Sequence, residues 1–199
     1  MGTPASAQIG AAEPAQQESH RTSAVVKFLA GAALTFAAHE SGHLVLDFAF
    51  DAKPRVTRVQ FAGIPFFAIS HRSDLSRRRE FAISSAGFWT QESWNETLLT
   101  RRPQLRREHA PILTGALAFN IFASVAYAAA AFNRLGPVER DTRGMADAAS
   151  LDERWIALLV LMPAVLDGVR YLQPDATWAA WTSRTAKLGS VALLARSPE

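Results

Sequence analysis

Apolar positions in this chain fall in long blocks, and the basic residues fall between the blocks. Ser23 to Phe50 reads as one helix with Ser23 as N-cap. Its 28 residues would cover ~42 Å at ~1.5 Å each, enough to cross a bilayer. Lys27, His39, Glu40, His43 and Asp47 interrupt the run. Residues 54–71 change period: Val56, Val59, Phe61, Phe66, Phe67 and Ile69 flank the turn signal Gly63-Ile64-Pro65 and predict a short β-hairpin. Residues 80–100 mix Phe88, Trp89, Trp94, Leu98 and Leu99 with Gln91, Glu92, Asn95 and Glu96, so they predict an amphipathic helix.

Pro111 to Phe132 is uncharged and rich in Gly, Ala and Ser, as suits a membrane span packed against other helices. A polar loop, 133–153, leads to a third apolar helix over 154–172, interrupted by Pro163 and Asp167. Residues 173–199, with Trp178, Trp181, Arg184 and Lys187, read as an interfacial helix or a poor fourth span. Residues 1–22 are Ala, Gln, Pro and Gly without period, the pattern of a disordered tail.

The expected fold is a mainly α, polytopic membrane protein. Its core, 23–172, has spans at about 24–50, 111–132 and 154–172, with a short β-hairpin after the first helix. Composition narrows the function. The chain has 199 residues, 49% hydrophobic, with a net charge of +3 and no long basic run, which excludes an obvious nucleic-acid binder. It has no cysteine, which removes disulfides, thiol nucleophiles and Cys-held metals. The lipid bilayer is thus the expected partner, with the oligomeric state left open. Eleven Lys/Arg lie between 51 and 109 and three between 133 and 153, so the positive-inside rule puts 51–109 in the cytoplasm and the N-terminus outside. The Ala- and Arg-rich composition suggests a bacterial inner membrane.

His39-Glu40-Ser41-Gly42-His43 is an H-E-x-x-H motif. On a helix, residues four apart share a face, so two imidazoles can hold one Zn2+ while Glu40 acts as base toward its water. A catalytic zinc needs a third protein ligand. Asp167 is the candidate, because a carboxylate late in an apolar helix is costly without a partner. Depth supports the choice if the segment at 80–100 does not cross: Asp167 then lies level with His39 and His43. If that segment crosses, the last helix runs the other way and Asp167 moves toward the opposite face. Basic residues at both ends of 80–100 favour the first arrangement. Asp47, one turn past His43, is a candidate to orient it, with an interfacial carboxylate as the favoured role.

The H-E-S-G-H sequence, the following β-segment and Pro163-Ala164-Val165-Leu166-Asp167-Gly168 together resemble the site-2 protease family of intramembrane zinc metalloproteases. The resemblance implies a three-helix zinc core, His39, His43 and Asp167 as ligands, Glu40 as catalytic base, and a transmembrane protein segment as substrate. The chain departs from the family pattern at Val160, where an Asn is common. The family's second-helix G-P-x-x-N is matched only loosely, by Gly115 to Asn120 or by Ala86 to Gln91. Asn120 is favoured as a substrate-binding amide, since an amide within an apolar span needs a partner. Helix–helix hydrogen bonding is the competing role for it. A zinc-binding membrane protein that regulates a partner without cleaving it is the alternative function.

Overall fold

The computed structural model describes residues 13–61 and 64–196. Six helices and one hairpin follow in order: α1 (Glu13–Ala49), β1 (Arg55–Phe61), β2 (Ile64–Ser70), α2 (Arg77–Arg101), α3 (Pro111–Asn133), α4 (Asp141–Ala149), α5 (Glu153–Leu172) and α6 (Thr177–Arg196). Local chemistry sets three of the starts. Ser76 accepts from the Arg79 amide at 3.5 Å, Pro111 opens α3, and Asp152 accepts from the Arg154 amide at 2.9 Å. Helix α1 begins ten residues before Ser23, so 13–22 extend the helix instead of forming a tail; 1–12 lie outside the described residues. The strands pair antiparallel, with Val56 opposite Ile69 and Thr57 opposite Ala68, as the alternation predicts. The expected turn at Gly63 falls outside the described residues.

Three helical segments, Arg21–Ala49, Pro111–Asn133 and Glu153–Leu172, are long and apolar enough to cross a membrane. The first two run parallel and touch at their glycines. A Cβ on Gly31 would overlap the Ile112 carbonyl, and one on Gly115 would overlap that of Phe28. Further along, Phe36 meets Phe119 and His39 meets Tyr127.

The main departure from expectation is α2. It is a 25-residue rod packed inside the bundle, not an amphipathic helix on its surface. Phe81 to Phe88, Gln91, Asn95, Leu98 and Leu99 are buried. Its polar groups meet other helices, which is why its sequence lacks the apolar content of a span. It runs antiparallel to α1: Ile83 lies by His43, and Gly87 by both His39 and His43. Helix α5 runs with α2, placing Ile156 and Val160 beside Phe81 and Phe88, and Arg170 beside Glu96. Helix α6 returns along α5, with Ser183 at Asp167 and Gly189 against Leu159. It is thus a helix packed along the bundle.

Because α2 runs the length of the bundle, residues 51–109 do not share one end. The hairpin and the seven Lys/Arg from Lys53 to Arg79 lie at one end, and Arg101, Arg102, Arg106 and Arg107 lie at the other. Loop 133–153, expected on the face opposite the hairpin, lies at the hairpin end, where Glu139 and Arg140 line a pocket with His71 and Arg72.

Candidate metal centre

His39 and His43 project from one face of α1 into the space between α1, α2 and α4. Both are buried, at 3% and 6% exposure. Their Nε2 atoms are 3.2 Å apart. His43 Nδ1 donates to the Ile83 carbonyl at 2.7 Å, which leaves its Nε2 lone pair facing inward, the orientation a metal ligand needs. His39 Nδ1 has no such partner among the described residues. Gly87 of α2 lies flat against both imidazoles, and a Cβ there would overlap them.

The third group is Asp141, the first residue of α4. Its Oδ2 lies 3.2 Å from His39 Nε2 and 3.5 Å from His43 Nε2. These three side chains form a cluster able to hold a metal ion. The spacing fits zinc: ligand atoms around a tetrahedral ion with ~2.0–2.1 Å bonds lie ~3.3–3.4 Å apart. Asp141 thus offers a carboxylate oxygen beside the two imidazole nitrogens.

Asp167 is not part of this group, contrary to expectation. Helix α5 packs on α3 and α6, not substantially on α1, and Asp167 lies on the other side of α2. There its Oδ1 accepts from Ser183 at 2.6 Å and Lys187 at 2.9 Å, with Arg170 at 3.3 Å. Lys187, Arg170 and Arg184 also converge on Glu96. The cost of burying Asp167 is thus offset by cations from α5 and α6. The physical cause is the direction of α5, which follows from α2 running antiparallel to α1.

Asn120 is fully buried, and its Nδ2 donates to Asn95 Oδ1 at 2.7 Å, an α3–α2 hydrogen bond away from the histidines. The amide that does face the centre is Gln91. It is 3% exposed, neither Oε1 nor Nε2 has a partner among the described residues, and it lines a cavity of about 430 Å³ with His39, Glu40 and Tyr127. Glu40 also faces a second cavity, of about 340 Å³, with His43, Asp141, Tyr127 and Phe67 to Ile69 of β2. Tyr127 stacks on His39 with ring centroids 6.1 Å apart. Sequence reasoning missed Asp141 and Tyr127. Asp141 was one of several acids in a polar loop, and nothing local marked it.

A polar pocket of about 440 Å³ joins the centre to the hairpin end, lined by His43, Asp47, His71, Arg72, Glu80 and Asp141. Asp47 is fully buried, with His71 Nδ1 3.4 Å away, and His71 Nε2 pairs with Glu80 at 2.8 Å. Asp47 thus neighbours the hairpin root; it makes no hydrogen bond to His43 among the described contacts. Scans of the chain against protein-family models, curated proteins and solved structures found no match.

Proposed function

We propose that this protein is a zinc-dependent intramembrane endopeptidase, with His39, His43 and Asp141 as ligands. One observation carries the reading: two buried imidazoles, on a helix apolar enough to span a membrane, converge at tetrahedral spacing with the half-buried Asp141 carboxylate, and Glu40 lies beside them. When bound there, zinc would polarise a peptide carbonyl and bring the pKa of its water toward ~7.

The remaining work falls to the chain's own side chains. Glu40 takes the water's proton and returns it to the leaving nitrogen. Gln91, whose donor and acceptor are both unpaired among the described residues, complements the C=O and N–H of an unwound peptide strand. A transmembrane substrate must unwind first, since its carbonyls are otherwise held in helical hydrogen bonds. In a two-stranded sheet one edge of each strand is free, and β2 walls the cavity where that substrate strand would pair. The pocket beside Asp47 and His71 is a water route, which a hydrolase requires and a purely structural metal site does not. The hairpin end carries seven of the eleven basic residues between 51 and 109, so in this reading it faces the cytoplasm.

The test is detergent-purified protein with a model transmembrane substrate. Glu40→Gln should keep zinc and lose at least ~10³-fold of cleavage, on the scale of general-base and electrostatic effects combined. Cleavage retained by Glu40→Gln, or a wild type that binds zinc and cleaves no transmembrane segment in a broad panel, would sink the protease reading. The second result would favour the zinc-stabilised regulator.

A further inference from the structure

His39 and His43 are set by a single continuous helix, so their relative placement is built in. Asp141 is not. It opens a nine-residue helix after the loop 134–140; the later residues of that helix pack on α2 through Gly144 and Met145, and its first residue follows directly on the loop. The residues on either side of it are both buried and both hold the same carboxylate. Arg140 Nε donates to Glu153 Oε1 at 2.6 Å, and Arg140 Nη2 to Glu153 Oε2 at 2.5 Å. Thr142 Oγ1 donates to Glu153 Oε1 at 2.8 Å. Arg140 Nη1 also donates to the Pro137 carbonyl at 2.9 Å, tying the loop to the same point. Arg140, Thr142 and Glu153 are 8%, 0% and 9% exposed, and Glu153 is the first residue of α5.

We propose that Glu153, through Arg140 and Thr142, is the positioning residue that holds Asp141 at the metal centre. A bidentate guanidinium–carboxylate pair fixes both planes, and the threonine bond fixes the chain on the far side of Asp141. Compared with an apolar replacement, a buried ion pair adds little net stability. What it adds here is geometry at the one ligand that α1 does not control. The proposal rests on the metal reading above.

The experiment measures zinc affinity by chelator competition on the full-length protein in detergent, with helix content by circular dichroism as a folding check. Glu153→Gln places an amide N–H against Arg140, and should weaken zinc ~10–100-fold with helix content unchanged. Thr142→Val should weaken it less, and it carries the test alone if Glu153→Gln fails to fold. In an Asp141→Asn background, Glu153→Gln should cost no further affinity, because it acts through the missing ligand. Wild-type affinity in both folded variants would overturn the proposal. So would an equal loss from Glu153→Gln in the Asp141→Asn background. A wild type that binds no zinc would overturn the metal reading itself, and the positioning role with it.

Discussion

Two buried clusters of ionisable groups lie on either side of α2, and they differ in their countercharges. On the α1 side, His39, His43 and Asp141 point three ligand atoms at one another, with Glu40 close by, and the one arginine lining that cavity, Arg140, pairs with Glu153 instead. On the α5–α6 side, Asp167 and Glu96 are met by Lys187, Arg170 and Arg184. The first cluster presents donor atoms to a cation that the chain itself does not supply. The second already holds its cations, and two of them at Asp167 would repel a divalent ion. Burial of a carboxylate in an apolar helix therefore says that it has a partner; it does not say that the partner is a metal.

The comparison breaks most sharply at the two aspartates. Asp141→Ala should abolish stoichiometric zinc binding, since two imidazoles alone make an incomplete site. Asp167→Ala should leave zinc affinity within a few-fold and instead destabilise the bundle by about 1–3 kcal/mol, because Lys187, Arg170 and Ser183 lose a buried carboxylate while the two cations keep Glu96. Metal analysis and thermal melting of the two variants would separate the roles; zinc lost in Asp167→Ala alone would reverse them.

A smaller effect separates the two amides. Gln91→Leu removes a buried amide that has no partner among the described residues, so stability should hold or rise while cleavage weakens about tenfold, as for one lost hydrogen bond in a transition state. Asn120→Leu leaves Asn95 unpaired and should lower stability by about 1–3 kcal/mol with zinc binding intact.

The smallest effect is at the hairpin root, where His71 links β2 to Glu80 of α2. The hydrogen bond to Glu80 raises the His71 pKa against the opposing pull of burial. A histidine raised in the folded state contributes fully below its unfolded value of ~6.5, and that contribution is lost as pH climbs through the higher folded value. Amide exchange in β1 and β2, corrected for the intrinsic pH dependence, should therefore show weaker protection at pH 8.5 than at pH 6. His71→Gln should flatten that difference.

The i, i+4 geometry of His39 and His43, the hairpin and the three apolar helices were legible because each depends on residues close in sequence. Helical rise and side-chain alternation set them. Asp141 was not legible, because its role comes from α4 folding back over α2, where Gly144 fits against Ser84. The polar residues of α2 misled for the same reason: tertiary neighbours bury Gln91 and Asn95, which in isolation read as the polar side of an amphipathic helix. Local periodicity thus determined which segments are helical and which side chains share a face. The direction each helix takes through the bundle was decided by long-range packing, and that direction put Asp141, not Asp167, beside the histidines.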